Sequence, residues 1–369
     1  MMKFQNRFFS YLTASLCAVG LAACGGGDGD GGKKGTKNGG DGPKRYDVKD
    51  SSVFPITAGK YTILGIKTDQ GSLDRAQQQA EDTITNHPDI ACMVGLWAYN
   101  APRILNAVDQ AGEVGKIKIV SFDEDAATLE GIAAESIHGT IAQQPYLFGY
   151  RSAELLAAIV RGQEVNKEGS DIIVPVIVVK KDDVANFKAT VESILAGNGS
   201  HPEPLYEGYP ATDEKVSAAF VTNSVNPFWD FSKHGFKLAC EKYNIDGKFI
   251  EPADATVEQQ NRMIEEQISV GVQAFAVSPI DAVGQSGFLK QVSDKAPLIC
   301  QDSDSPESGR KFYLGTSNYL AGREAGKLIK EVIPDGGKVM LFVGKMEVLN
   351  AQERSQGVVD ELLGLPIPE

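Results

Sequence analysis

From residue 61 onward, short apolar runs alternate with amphipathic segments of helix length. The apolar runs predict β-strands over 61–66, 90–97, 116–122, 139–143, 217–223, 248–252, 274–279, 297–303 and 338–344. Between them, apolar side chains recur at helical spacing and predict helices that include 74–86, 100–111, 256–270 and 319–333. Strands that are apolar on both faces, separated by single helices, indicate parallel sheets covered on both sides. Because there are too many such units for one small sheet, we expect an α/β protein with two doubly wound, Rossmann-like lobes.

The first 24 residues have a different character. Lys3 and Arg7 form a basic start, an apolar run follows, and small residues lead up to Cys24. The apolar run is short for a membrane span, so the pattern predicts an export signal. Its Leu-Ala-Ala-Cys ending resembles the lipobox of bacterial lipoproteins, which implies lipidation of Cys24. Plain secretion is the alternative.

The segment that follows the signal is rich in glycine. Residues 25–43 contain ten glycines among 19 residues and no apolar side chain, so they cannot build a core. A flexible coil of this length spans roughly 25 Å root-mean-square. We expect 1–24 to be a lipoprotein signal peptide and 25–60 to be a tether and lead-in that holds a folded body away from a membrane.

Composition and charge exclude several classes of function. The net charge of −13 over 369 residues argues against binding to nucleic acid, because phosphates require a basic surface. The five cysteines and four histidines show no metal-ligand spacing. The sequence also lacks the G-x-S-x-G, G-x-x-x-x-G-K-[ST] and H-E-x-x-H motifs. We therefore expect no metal, no cofactor and no enzymatic activity.

Polar and aromatic residues follow the predicted strands, at the end where doubly wound sheets bind ligands. They are Trp97, Asp123, Asn226, Asp302 and the 345–350 loop. With these strand ends, the chain resembles the type I periplasmic binding proteins, and among them the ribose/galactose-type sugar-binding proteins of ABC transporters. The motifs of the family's first half lie at 226–229 (NPFW), 301–306 (QDSDSP), 315–329 and 350–362, and those of its second half at 115–123 (GKIKIVSFD) and 139–156.

The two halves stand in the reverse of the family's order, so the resemblance implies a circular permutant. Residues 61–200 would be the family's C-terminal half, with 61–143 mostly in the second lobe, 144–171 in the first and 172–187 at the end of the second. Residues 201–215 would be a bridging linker. Residues 216–369 would be the N-terminal half, with 216–316 in the first lobe and 317–369 in the second. A fusion of two unrelated half-domains and a chain completed by swapping with a partner are the alternatives.

The resemblance also implies a sugar site between the lobes. The family has a hydroxyl-bonding amide and stacking aromatics at the positions of Asn226, Phe228 and Trp229. A helix-start turn whose rings cap the core is the alternative, because it would show the same sequence pattern. Asp302 matches a carboxylate that accepts from sugar hydroxyls. Its alternative is a solvated loop or a helix cap.

Four further positions complete the implied site. Arg354 matches a planar donor for neighbouring hydroxyls, with a surface salt bridge as its alternative, and Asn350 is a weaker candidate one turn earlier. Asp123 and Gln143 match two of the most specific positions, and Gln143 lies where the chain crosses between lobes.

Two positions depart from the ribose-binding pattern. Ser303 stands where ribose binders often have arginine. Trp97 replaces an asparagine, and Asn100 follows it closely, which turns a polar wall into an aromatic one. The identity of the sugar therefore stays open.

Taken together, the sequence predicts a lipid-anchored, monomeric binding protein in the periplasm or on the cell surface of a bacterium. It would capture a monosaccharide or similar polyol and deliver it to an ABC-type permease in the membrane. A receptor subunit that reports sugar to a membrane signalling protein is the main alternative. A surface lipoprotein without a working cleft is another.

Overall fold

The computed structural model describes residues 44–165, 170–205 and 214–368. The expected signal peptide, Cys24 and the glycine-rich segment lie outside these residues. Within them, no helix is long and apolar enough to cross a membrane.

Strands and helices alternate along most of the described chain. The strands are β1 (Ile56–Ala58), β2 (Tyr61–Thr68), β3 (Ile90–Gly95), β4 (Lys118–Phe122), β5 (Gly139–Ala142), β6 (Ile172–Ile173), β7 (Ile177–Val179), β8 (Val216–Val221), β9 (Ile245–Ile250), β10 (Ala274–Val277), β11 (Leu298–Gln301), β12 (Tyr313–Gly315) and β13 (Gly337–Val343). The helices are α1 (Leu73–Asn86), α2 (Asn100–Gln110), α3 (Ala126–Ala133), α4 (Pro145–Val160), α5 (Lys181–Leu195), α6 (Phe228–Lys242), α7 (Val257–Ser269), α8 (Ser286–Ser293), α9 (Asn318–Val332) and α10 (Leu349–Leu363), with short 3-10 helices at Ser51–Val53 and Pro306–Ser308. These elements confirm the predicted α/β class.

The strands form two sheets. One has seven strands in the order β1-β2-β13-β3-β4-β5-β7, and the other has six in the order β6-β12-β11-β10-β8-β9. The six-stranded sheet is parallel throughout. In the seven-stranded sheet only the edge strands β1 and β7 run antiparallel to their neighbours. Parallel strands with burial on both faces match the runs of apolar residues in the sequence.

Local signals in the sequence set where several helices begin. Ser72 and Thr256 accept hydrogen bonds from the backbone of Arg75 and Gln259, and so cap α1 and α7. Pro145 occupies the first turn of α4, where its missing N–H costs no helical hydrogen bond. Each sheet is then covered by apolar helix faces on both sides, which form the buried core.

Each sheet carries one pair of helices that cross at glycines. In the pair α4 and α6, a Cβ on Gly149 would collide with the Ser232 carbonyl oxygen. In the pair α9 and α10, a Cβ on Gly322 would collide with the Arg354 carbonyl oxygen. The absence of side chains at these two positions therefore allows the helix backbones to come into direct contact.

The structure moves several of the expected boundaries. Residues 44–60 are folded rather than part of a tether, since β1 pairs with β2 and Val48 is buried. Residues 172–173 pair with β12 in the six-stranded sheet, so the expected transfer to the second lobe at 172 comes a few residues too early. Helix α5 continues past 187, where the family resemblance placed the end of the half. Residues 206–213 of the expected linker lie outside the described residues.

Candidate functional site

The Arg354 guanidinium is the centre of the candidate site. Its side chain is buried on α10 and lies over the Phe122 ring, 4.7 Å from the ring centroid. Nη1 donates to the Leu96 carbonyl oxygen at 2.8 Å and lies 3.9 Å from Asp123 Oδ2. Nε donates to Asn318 Oδ1 at 2.9 Å. Arg354 is therefore a fixed, buried cation, and the surface salt bridge considered for it is wrong.

Asp123 comes directly after β4 and faces this cation. Its Oδ1 accepts from Gln143 Nε2 at 2.8 Å, and the Ala98 backbone N–H also donates to the carboxylate. Burial raises the pKa of Asp123, while Arg354 and the donors oppose the rise. Gln143 Oε1 is buried and has no hydrogen-bond partner among the described residues, so this amide retains an acceptor at the site.

Asp302 comes directly after β11 in the other sheet. Its carboxylate accepts from Ser278 Oγ at 3.2 Å and from Ser303 Oγ at 3.3 Å. Burial raises its pKa to about 6, the Arg354 charge lowers it and the Asp123 charge raises it. Asp302, Asp123 and Arg354 are thus close enough for their charges to act on one another. Three of the predicted residues are thereby brought together.

Both aspartates have unusual backbones. The φ angles of Asp123 and Asp302 are 65° and 61°, in the left-handed region that non-glycine residues seldom occupy. Such conformations cost about 1–3 kcal/mol each and are concentrated at functional sites. The two strand ends therefore share a turn geometry as well as a side-chain type.

A second group surrounds Trp97 at the end of β3. Its Nε1 donates to Asn350 Oδ1 at 3.1 Å, and its backbone N–H donates to Asn100 Oδ1 at 3.0 Å. Asn100 is buried and donates in turn to Asp69 Oδ2 at 2.8 Å. Trp97 itself is half-buried. The structure thus places Asn350 as the residue that orients the indole and Asn100 as the residue that holds the backbone of Trp97.

The aromatic turn at the start of α6 packs within the six-stranded half. The exposed Asn226 accepts from the Phe228 backbone N–H at 3.0 Å through Oδ1. Trp229 is 2% exposed and packs edge-on against Phe220, with ring centroids 6.0 Å apart. Its expected role as a stacking platform is therefore wrong in this structure, because the indole belongs to the core of the six-stranded half. Phe228 is half-buried beside it.

One buried acid at the site was missed. Glu124 follows Asp123 and is buried, and its Oε2 has no hydrogen-bond partner among the described residues. Burial raises its pKa well above the usual range, and the Asp123 charge adds to the rise. Only its position next to a strand-end aspartate could have signalled it. Within the described ranges, no group of histidine, cysteine, aspartate and glutamate side chains is arranged to hold a metal ion.

Comparison with known proteins gives the family. The model of the periplasmic binding protein domain matches residues 44–164 and 218–368. Among curated proteins, the ribose import binding protein RbsB of Bacillus subtilis is 32% identical over 88 residues, which are 24% of this chain and 28% of that protein. The xylose/arabinose-binding protein XylF of Sulfolobus acidocaldarius is 24% identical over 157 residues, 38% of each chain.

One solved structure is similar to part of the chain. An ABC transporter solute-binding protein of Burkholderia graminis in complex with D-arabinose is 28% identical, with a TM-score of 0.40 over 42% of this chain and 54% of that one. The matched stretches thus span about a quarter to about a half of these relatives' lengths. With a family model that matches both long segments of the described chain, the protein belongs to the periplasmic binding protein family.

Proposed function

We propose that this protein is an extracytoplasmic solute-binding protein that captures a monosaccharide or similar polyol between its two sheets. One observation carries the proposal: the buried Arg354 lies within the electrostatic reach of both Asp123 and Asp302, which belong to different sheets. Carboxylates and a planar guanidinium bond neighbouring hydroxyl groups in pairs. The names of the two curated relatives, which refer to ribose and to xylose and arabinose, support the same class of ligand.

The chemistry of binding follows from the groups at the site. Sugar hydroxyls would donate to Asp123 and Asp302 and accept from Arg354, and the free Gln143 Oε1 would take one further donor. Trp97 is the aromatic best placed to cover an apolar ring face, because its indole is held by Asn350. Since these groups come from both sheets, closure of two lobes around the ligand would be favoured by contacts that an open form lacks.

We also propose that the chain is a circular permutant. If the chain is followed from β8, the strands of the six-stranded sheet lie side by side in the order β9-β8-β10-β11-β12-β6. The second strand along the chain is therefore at the edge, and the first lies between the second and the third. If the chain is followed from β13 and continued at β2, the seven-stranded sheet has the same arrangement, β2-β13-β3-β4-β5-β7. This is the flavodoxin-like order, in both sheets. In a chain of the family's usual order, most strands of one sheet would come before those of the other.

Contacts near the two ends of the described chain support the same proposal. Arg45 donates to the Pro366 carbonyl oxygen at 3.0 Å and pairs with Asp360 at 2.9 Å. The old ends would be joined by the segment after α5, which docks on α4 through a hydrogen bond of 2.8 Å from the Tyr146 hydroxyl to the Ser200 carbonyl oxygen. Permutation succeeds where the new ends lie at the surface and the old ends can be bridged.

The predicted export signal and lipobox extend the proposal to location and partners. Cys24 would carry the lipid anchor, residues 25–43 would act as a tether, and the folded body would act as a monomer. The permease of an ABC transporter would receive the sugar. A sensor protein in the same membrane is the alternative partner, and nothing in the site distinguishes the two.

A thermal-shift screen against pentoses, hexoses, deoxy sugars and inositols tests the proposal. We expect at least one sugar to raise the melting temperature of the wild-type chain. Asp123→Asn should abolish this shift, because it removes an acceptor for hydroxyls, and Asp109→Asn, at an exposed position on α2, should preserve it. A flat response to the whole panel would refute sugar binding.

A further inference from the structure

A cavity of about 150 Å³ lies against the candidate site, and α10 and the six-stranded half both contribute to its wall. Several of its lining residues bond directly to the site. Ser303 Oγ donates to Asp302, and Asn318 Oδ1 accepts from Arg354 Nε. The cavity therefore continues from the groups that we propose to hold the sugar.

The cavity carries excess negative charge. Asp304 and Asp171 share one cation, since Arg310 lies 2.5 Å from Asp304 Oδ1 through Nε and 2.9 Å from Asp171 Oδ1 through Nη1. Glu353 faces them from α10, and its carboxylate has neither a hydrogen bond nor an ion pair with any residue that the structure describes. Arg354, which follows Glu353, is already engaged by Asp123, Leu96 and Asn318. A positively charged group in the cavity would relieve this imbalance.

A buried hydroxyl gives a second, independent sign of a ligand. Thr316 lines the cavity, is 2% exposed, and its Oγ1 has no hydrogen-bond partner among the described residues. A buried hydroxyl without a partner is unfavourable, so a group that can donate a hydrogen bond to it would be favoured. Burial raises the pKa of Glu353 to about 7; the charges of Asp304 and Asp171 add to the rise, and Arg354 opposes it.

The chemistry of the cavity selects the kind of cation. A divalent metal requires several carboxylate ligands, and no described group of side chains meets that need. An ammonium has three N–H donors on one small charge, which suits one free carboxylate and one free hydroxyl. An anionic substituent such as a phosphate or a sugar acid would be repelled.

We propose that the ligand of this protein is a sugar or polyol with a protonated amine, whose ammonium group is bound in this cavity by Glu353 and Thr316. The inference rests on the proposed function, because the sugar ring would occupy the site formed by Asp123, Asp302 and Arg354. It assigns Glu353 as the residue that sets specificity for the amine.

Titration calorimetry of the full chain at about pH 7, where a typical amine still carries a proton, tests the inference. The probes are glucosamine, galactosamine and 6-amino-6-deoxyglucose, each beside its parent hexose, together with N-acetylglucosamine, in which the amine is a neutral amide. We expect at least one amine to bind about tenfold or more tightly than its neutral counterpart, as a charge-assisted hydrogen bond would provide.

Two variants connect the preference to the cavity. Glu353→Gln should reduce the ratio of amine affinity to neutral-sugar affinity towards one. Glu347→Gln, at an exposed position just before α10, should leave the ratio unchanged. Because Glu353 has no described partner and faces two aspartates, its replacement by glutamine should not lower the melting temperature. A lower melting temperature for Glu353→Gln would therefore count against this assignment.

The outcomes separate this inference from the function on which it rests. Neutral sugars that bind as tightly as their amines would overturn the inference and leave the proposed function intact. A preference for amines that survives Glu353→Gln would overturn the assignment of the cavity. An absence of binding by every sugar, charged or neutral, would overturn both.

Discussion

Replacement of Arg354 by methionine should destabilise the protein strongly, because the guanidinium is buried and two aspartates depend on it. At an effective dielectric constant of about 20, two unit charges about 4 Å apart interact by about 4 kcal/mol, and Arg354 Nη1 lies 3.9 Å from Asp123 Oδ2. Breaking a buried pair by removing one partner typically costs about 3–5 kcal/mol. We therefore expect Arg354→Met to lower the free energy of unfolding by about 3–5 kcal/mol near neutral pH.

Urea denaturation, followed by tryptophan fluorescence and circular dichroism, measures this loss. The loss should shrink as the pH falls towards 4, because Asp123 and Asp302 become protonated and no longer need a cation. Lys327→Met is the matched control. Lys327 pairs with Glu324 on the exposed face of α9, where such pairs contribute about 0–1 kcal/mol.

Arg354→Lys adds a second comparison. It retains the charge and removes the planar fork that bonds Leu96 and Asn318, so its stability should lie between those of the wild type and Arg354→Met. A loss of less than about 1 kcal/mol for Arg354→Met would refute the view that this cation holds the two strand ends together.

Three further predictions concern the rest of the fold and site. Gly235→Ala should destabilise the helix pair α4 and α6, because its Cβ would collide with the Tyr146 carbonyl oxygen. Gly287→Ala, with nothing near its Cβ, should instead stabilise α8 by about 0.4–1 kcal/mol. Equal effects of the two variants on thermal unfolding would contradict this prediction. Asp302→Asn should stabilise the ligand-free protein by roughly 2–3 kcal/mol at pH 8, because the folded pKa of about 6 lies above the usual aspartate value of 3.8 and the wild type loses stability as pH rises through that window. The gain should vanish below about pH 4 in urea titrations, and a gain independent of pH would count against this prediction. Glu124→Gln should also raise the melting temperature more at pH 8 than at pH 5, because burial and the Asp123 charge keep the pKa of this acid high in the folded protein. An unchanged or lower melting temperature at pH 8 would show that the carboxylate has a partner.

Much of the fold could be predicted from the pattern of apolar residues. Parallel strands that are buried on both faces leave long apolar runs in the sequence, and nine of these runs coincide with strands. The short strands β6 and β12, of two and three residues, are too short to show any periodicity. Their pairing depends on the backbone of neighbouring strands rather than on their own side chains.

The site could be predicted in part for a similar physical reason. Asp123 and Asp302 were predicted as site residues because ligands bind where parallel strands end, and the structure places both directly after a strand. Trp229 was misassigned because an aromatic residue at a helix start can face either the core or a cleft, and only its packing against Phe220 decides between them. The sequence did not single out Glu353 because a carboxylate on a helix is usually exposed, and its partial burial near Asp304 becomes apparent only in the structure.

A crystal structure of the protein with the tightest-binding sugar from the screen would test the central claim most directly. The account predicts one sugar with hydroxyl groups within hydrogen-bond distance of both Asp123 and Asp302 and with Arg354 beside them. A sugar that contacts only one of the two sheets, or that binds away from both aspartates, would contradict it.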